Sequence, residues 1–200
     1  MTPDELLALP NDPAWRYELV EGRLLRMPPT GGDHSSISGN LHVAVGHWVL
    51  THHLGTVQSA EAGFRLAPGT ILAADVSFVH VGRAATLTTE QRKRYWPLAP
   101  DLVAEVVSPS QAGGQTSKAH ADLEAKARAW VSGGVRLVWL VWLVWPETQE
   151  VAVWRMDTNI APPAPRQIAL LSRAHGDALD GLDVLPGFTY PLADLFTLDY

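Results

Sequence analysis

Two carboxylates interrupt apolar segments that have the character of buried strands. Asp75 stands near the start of "ADVSFVHV", and Glu105 lies in the middle of "DLVAEVV". Asp75 alone could equally accept a hydrogen bond in a local turn. Glu105 has apolar neighbours on both sides, and burying its charge requires a cationic partner. Two carboxylates on adjacent strands repel unless a divalent metal or a lysine lies between them, so the pair predicts a cation-binding site.

The chain contains three lysines, Lys93, Lys118 and Lys126. On a helix with 100° per residue, Lys126 lies about 60° from Leu123 and about 40° from Trp130, beside the apolar face. We therefore expect Lys126 to reach the sheet, although a lysine in this position can also extend its amine to solvent. Lys93, in "QRKRY", is expected to be a solvated loop charge or a contact to DNA phosphate.

The eight histidines do not form a recognisable zinc motif. Four of them share one predicted helix without an i, i+4 pair followed by glutamate, so the metalloprotease motif is absent. A zinc hydrolase is therefore the weakest of the functions considered. His34, in the loop that enters this helix, is kept as a candidate site residue. The absence of cysteine excludes disulfides and thiolate-bound metals.

The elements that would carry these residues alternate between helices and strands. Helical spacing of apolar residues predicts one helix around Ile37 to Val49 and a second that begins after Ser117 and ends at Gly133-Gly134. Strand-like segments are "YELVEGRLLRM" (a hairpin), "EAGFRL", "ADVSFVHV", "DLVAEVV", "VRLVWLVWLVW", "EVAVWRM" and "RQIALL". This order predicts a mixed α/β domain with helices against a central sheet. The repeated triplet "VWL" predicts a bulge, because an odd insertion swaps the faces of a strand.

Composition limits the remaining possibilities. With 200 residues, 46% of them hydrophobic and 18% charged, the chain is expected to form one globular domain over residues 1–200. Its longest apolar run, "LVWLVWLVW", is much shorter than the ~20 residues that a membrane helix needs. The acidic N-terminus lacks signal-peptide features, so we expect a cytoplasmic protein with no membrane partner. The net charge of −6 requires any nucleic-acid binding to come from a local patch.

Several segments, in this order, resemble the Uma-type restriction endonuclease family of the PD-(D/E)XK nuclease superfamily. They are "RYELVEGRLLRMPP", the histidine of "GGDHSSISGNL", "EAGFRL", "ADVSFV", "PDLVAEVVSPS", "LEAKARAWVSGGVRLVW", "PETQEVAVWR" and "LPGFTYPLADLF". Each segment alone has little specificity for the family, but the ordered set extends over nearly the whole chain.

The resemblance implies a restriction-endonuclease-like fold, with a mixed central sheet flanked by helices. It also implies a Mg²⁺-dependent (or Mn²⁺-dependent) endonuclease that hydrolyses DNA phosphodiester bonds, and a homodimer. Asp75 and Glu105 would bind the metal, and Lys126 would orient the attacking water and stabilise the transition state. The residues that would complete the metal shell or position water are Glu21 and His34, with Gln58 and Ser108 as their neighbours.

Two positions depart from the superfamily pattern. Ala74 replaces the proline expected before the aspartate, and this change affects only the shape of the strand. Val107 stands two residues after Glu105, on the same strand face, where the superfamily lysine usually lies. Because of Val107, a catalytically inactive relative that acts as a nucleic-acid or protein interaction module remains an alternative.

Overall fold

The computed structural model describes residues 1–10, 12, 15–20, 22–27, 30–66, 69–107, 118–143 and 149–198. The helices in these ranges are α1 (Pro3–Leu7), α2 (Gly32–Thr51), α3 (Val81–Ala84), α4 (Thr89–Arg92), α5 (Lys118–Ser132) and α6 (Leu192–Leu195). The first strands are β1 (Arg16–Val20), β2 (Arg23–Met27), β3 (Gly55–Ser59), β4 (Gly63–Arg65), β5 (Ile71–Ala73) and β6 (Val76–His80). The later strands are β7 (Leu102–Val107), β8 (Leu137–Trp142), β9 (Glu150–Asp157), β10 (Ala164–Ser172), β11 (Ala178–Asp180) and β12 (Thr189–Pro191).

A six-stranded mixed sheet forms the centre of the molecule, in the order β10-β9-β8-β7-β6-β3. Strands β7 and β8 are parallel, and the other neighbouring strands are antiparallel. A parallel pair needs a crossover connection, and α5 lies in the segment that joins β7 to β8. The predicted mixed α/β sheet with flanking helices is therefore confirmed.

Helices cover both faces of this sheet. The apolar side of α2, including Leu41 and Val45, packs with Ala104 and Val106 of β7. The opposite side of β7 packs against α5, where Trp130 is fully buried. All six residues of β7 are buried, as the apolar character of both its faces predicts.

A second sheet of four strands, in the order β2-β1-β5-β4, contains the predicted hairpin. Leu19 of β1 and Ile71 of β5 pack with Leu6 of α1 in a small core of their own. The three-residue strand β5 is not among the strands predicted from sequence, because so short a segment shows no periodicity. Its position matters, since it leads directly to Asp75.

The bulge predicted from the repeated triplet is the first of two sequence expectations that are wrong. The triplet "VWL" produces no bulge in β8, whose register with β7 and β9 is continuous from Val138 to Trp142. The three-residue repeat instead places Trp139 and Trp142 in the cores on opposite sides of the sheet, and both cores accept a tryptophan because β8 is buried on both faces. The register shift seen in the sheet lies in β10, between Gln167 and Ala169.

His34 also differs from expectation, because it lies in the first turn of α2 and not in the loop before it. The helix begins at Gly32, directly after its N-cap residue Gly31, and Asp33 in its first turn complements the positive end of the helix dipole. None of the helices in the described ranges combines the length and apolar character that crossing a membrane requires.

Candidate active site

Strand pairing brings the two predicted carboxylates together. In the antiparallel pair of β6 and β7, Val76 lies opposite Ala104 and Ser77 opposite Val103. Continuing this register by one residue places Asp75 opposite Glu105, on the side of the sheet that α5 covers. Each residue is only 7% exposed, so both carboxylates need partners within the protein.

Helix α5 supplies two partners for Glu105. The Lys126 Nζ atom lies 3.0 Å from the Glu105 carboxylate, and the Trp130 indole N–H donates to Glu105 Oε1 over 2.7 Å. Lys126 and Trp130 are four residues apart, so they project from the same side of the helix. The structure thus places Lys126 where the helical periodicity predicts.

Asp75 is held by donors from two other elements. Its Oδ2 atom accepts a hydrogen bond from the Val106 backbone N–H over 2.8 Å and lies 3.1 Å from His34 Nε2. The other oxygen, Oδ1, lies 3.8 Å from the Arg16 guanidinium. His34 is therefore brought to the site, as predicted, and its contact in this structure is with Asp75.

Glu18 is a site residue that sequence reasoning missed. Its Oε1 atom lies 3.0 Å from Lys126 Nζ and accepts the Ala73 backbone N–H over 3.1 Å. The sequence prediction named Glu21 of the same hairpin, and Glu21 lies outside the described residues, as does Ser108. The available signal was the alternation of β1, which puts Arg16 and Glu18 on one face while Leu19 enters the core on the other.

Burial and the neighbouring charges together shift the pKa values of these groups. Burial raises the pKa of Glu105 to about 7, and the nearby Asp75 and Glu18 add to this effect, while Lys126 opposes it. Burial alone would lower the pKa of Lys126, but the Glu105 and Glu18 carboxylates outweigh it and raise this pKa. For Asp75 the effect of burial is outweighed by the contacts with His34 and Val106, and its pKa is lowered.

A cavity of about 40 Å³ opens onto these groups. Arg16, His34, Asp75, Glu105 and Lys126 contribute polar side chains to its wall, and Val107 and Leu123 contribute apolar ones. The space is large enough for at least one water molecule or a metal ion. Val107, two residues after Glu105 on β7, is 1% exposed and forms part of the apolar core beside the cavity.

The donor set fits a hard divalent cation such as Mg²⁺. Glu18 and Glu105 share the Lys126 ammonium, and the Arg16 guanidinium lies 3.8 Å from Asp75. Burial, together with the nearby Asp75 and Glu18, makes Glu105 difficult to ionise. Within the described ranges no three His, Asp or Glu side chains converge as a complete metal cage. Mg²⁺ does not need one, because it is usually bound by one or two carboxylates together with water and substrate phosphate. Asp75 and Glu105 are the residues suited to hold it.

The fold of the chain is similar to that of a solved structure. It matches the crystal structure of a "putative nuclease belonging to DUF820" from Anabaena variabilis, with a TM-score of 0.74 and 19% sequence identity. The match covers 98% of this chain and 97% of the other. At this identity the similarity concerns the fold.

The family follows from the sequence itself. The model of the Uma2 family, described as "Putative restriction endonuclease", matches residues 3–194. The chain belongs to this family, and the resemblance seen in its segments is confirmed. No curated protein matches the chain.

Proposed function

We propose that the protein is a Mg²⁺- or Mn²⁺-dependent endonuclease that hydrolyses DNA phosphodiester bonds. The main support is the contact between the Lys126 amine and Glu105 at 3.0 Å, beside Asp75. The Lys126 ammonium, which comes from α5, thereby supplies the positive charge that Val107 cannot supply. Membership of the Uma2 family and the nuclease fold support the same activity.

A divalent ion bound by Asp75 and Glu105 would polarise the phosphoryl group and lower the pKa of the attacking water. Lys126 stays protonated because its pKa is raised, so it acts as a fixed positive charge toward a phosphoryl oxygen and not as a general base. Asp75 is kept in one orientation by the Val106 N–H and His34. A preorganised charge of this kind needs no rearrangement at the moment of reaction.

The contact between His34 Nε2 and Asp75 favours a role in orienting that carboxylate. Direct binding of the metal by His34 or Glu21 stays a prediction, as does the homodimer. A non-catalytic interaction module was suggested by Val107. Because Lys126 reaches the site from the helix, Val107 no longer favours that alternative.

Nicking of supercoiled plasmid DNA tests the proposal. The purified protein should cleave with Mg²⁺ or Mn²⁺ and not with EDTA, and Glu105→Ala should reduce the rate on the order of 10³-fold. Asp183→Asn alters an exposed carboxylate that pairs with Arg136 and Arg155 and serves as the control, with cleavage unchanged. Cleavage that survives both EDTA and Glu105→Ala would rule out this site.

A further inference from the structure

Glu18 makes contacts that neither substrate binding nor metal binding explains. It is 2% exposed, and its Oε1 atom receives both the Lys126 amine at 3.0 Å and the Ala73 N–H at 3.1 Å. Glu18 does not line the 40 Å³ cavity, which is bounded by Asp75, Glu105 and Lys126 among others. It therefore reaches the reacting groups only through its neighbours.

The two contacts of Glu18 lead to different parts of the site. Lysine has a long flexible stem, and an ammonium held by one carboxylate can still move around it. Lys126 is held by two, Glu105 from the six-stranded sheet and Glu18 from the four-stranded sheet. The Ala73 N–H, in turn, belongs to the last residue of β5, two residues before Asp75.

We infer that Glu18 is a positioning residue, which fixes the Lys126 amine against Glu105 and anchors the segment that carries Asp75. This role rests on the proposed nuclease function. Strand β1 thus belongs to the catalytic apparatus, since Arg16, on the same strand face, also lies 3.8 Å from Asp75. Loss of Glu18 releases one side of the Lys126 amine and removes the acceptor of the Ala73 N–H, next to the segment that carries Asp75.

The position of the lysine can be observed without metal or substrate. The chain has three lysines, so ¹⁵N-lysine labelling gives at most three side-chain ammonium signals in an NMR spectrum. A buried ammonium held by two carboxylates exchanges its protons slowly, and we expect a resolved Lys126 signal, assigned by its loss in Lys126→Arg. In Glu18→Ala this signal should exchange at least about tenfold faster.

Two further variants complete the comparison. Glu18→Gln keeps an acceptor oxygen for Lys126 and Ala73, so we expect an intermediate rate of proton exchange. Glu90→Gln removes a carboxylate at 3.0 Å from a different, exposed lysine, Lys93, and should leave the Lys126 signal unchanged.

Kinetics provide the second readout. In Glu18→Ala, kcat for metal-dependent cleavage should fall about 10- to 100-fold, because a catalytic group displaced by about 1 Å loses rate on this scale. KM for DNA should change less than about threefold, since Glu18 does not line the cavity. Compared with Glu18→Ala, Glu18→Gln should recover a substantial part of kcat. Such a recovery would show that Glu18→Ala lowers kcat through the lost acceptor and not through unfolding.

The possible outcomes separate the two proposals. An unchanged Lys126 signal in Glu18→Ala, or an unchanged kcat, overturns the positioning role while leaving the nuclease proposal intact. If the wild-type protein shows no metal-dependent cleavage, the nuclease proposal fails, and the exchange of the Lys126 signal still decides whether Glu18 holds the amine. If Glu18→Ala does not fold, the near-isosteric Glu18→Gln is used for the same two measurements.

Discussion

At the scale of single residues, Glu105 is the group whose environment most constrains the chemistry. Lys126 and Trp130 both donate to its carboxylate, yet burial and the nearby Asp75 and Glu18 keep its pKa near 7. A carboxyl with this pKa binds a proton as the pH falls below about 7. A divalent ion would compete with that proton, so metal binding and protonation of Glu105 should oppose each other.

Stability without metal should therefore decrease as the pH rises. The unfolded carboxyl of Glu105 titrates near 4.5 and the folded one near 7, so between these values the folded state binds more protons. The free energy of unfolding should fall across this window by about 2–3 kcal/mol in total through Glu105. Glu105→Gln removes the titrating group and should give a flatter profile.

Urea unfolding in EDTA at several pH values from 5 to 8 measures this difference. The wild-type curve minus the Glu105→Gln curve isolates the contribution of the carboxyl from that of other groups. A difference that is constant across the window, or that grows more favourable to the wild type as the pH rises, would contradict the assignment.

The Trp130 indole offers a second prediction at the residue scale. Trp130→Phe removes the N–H that donates to Glu105 over 2.7 Å. Trp139 is also fully buried, but its Nε1 atom has no partner, so Trp139→Phe is the matched control for lost ring volume. A hydrogen bond to a charged group contributes about 1.5–3 kcal/mol. At pH 8 Trp130→Phe should therefore be less stable than the control by about 1–2 kcal/mol.

At pH 5, where Glu105 is protonated, the difference between the two tryptophan variants should shrink. Thermal or urea unfolding at both pH values provides the measurement. Equal losses for the two variants at pH 8 would show that the indole N–H contributes nothing through Glu105.

At the scale of elements, a strand and a helix each offer a position from which a lysine could place its charge at the cavity. Val107 of β7 and Lys126 of α5 both line the cavity. Val107 follows Glu105 by two residues and lies on the same face of β7. Lys126 contacts Glu105 from α5, the helix that packs on this face of the sheet. We therefore expect the location of the ammonium to matter more than the element that supplies it.

Relocating the lysine tests this view. Lys126→Ala should lower cleavage on the order of 10²-fold or more, and Val107→Lys in the Lys126→Ala background should recover at least about tenfold of the loss. Val107→Leu in the same background is the control for altered packing and should recover nothing. If the relocated lysine folds without any gain in rate, the site depends on contacts that only α5 provides, such as that with Glu18.

The elements also show which parts of the site could be predicted from sequence. The sequence predicts that Asp75, Glu105 and Lys126 come together, because a carboxylate within an apolar strand and the helical spacing around a lysine are local properties. Glu18 was missed because its contacts join residues far apart in the chain: Lys126 is 108 residues away. Only the pairing of β1 with β5 brings Glu18 to the site, and the pairing of a three-residue strand leaves no periodic signal.

The absence of a bulge in β8 has a related cause. The repeat of "VWL" predicted a bulge because an odd insertion swaps the faces of the strand beyond it. Strand β8 is buried on both faces, so Trp139 and Trp142 each enter a core. Sequence alone gives the apolar character of such a strand, but not which layers will cover it.

At the scale of the whole molecule, the candidate active site lies where the two sheets and α5 meet. Glu18 comes from one sheet, Glu105 from the other, and Lys126 from the helix. A ligand that binds these groups only in the folded state must stabilise the whole fold. The family match likewise concerns nearly the whole molecule, over residues 3–194.

Mn²⁺ should therefore raise the melting temperature at pH 8. Binding at 100 times Kd stabilises by about 2.7 kcal/mol, and each kcal/mol raises the melting temperature of a chain of this size by about 2–4 °C. Glu105→Ala should abolish this shift. Asp183→Asn alters a surface carboxylate that pairs with Arg136 and Arg155, and it should keep the full shift. A shift that persists in Glu105→Ala would place the bound ion elsewhere.

The most direct test of the central claim is a crystal structure of the protein soaked in Mn²⁺, with anomalous scattering used to locate the ion. We expect an anomalous peak bound to carboxylate oxygens of Asp75 and Glu105 at about 2.1 Å, close to the Mg²⁺–oxygen distance, with the Lys126 amine beside it. No peak at these carboxylates, with Lys126 still in contact with Glu105, would contradict the assignment of this site as a metal-dependent nuclease centre.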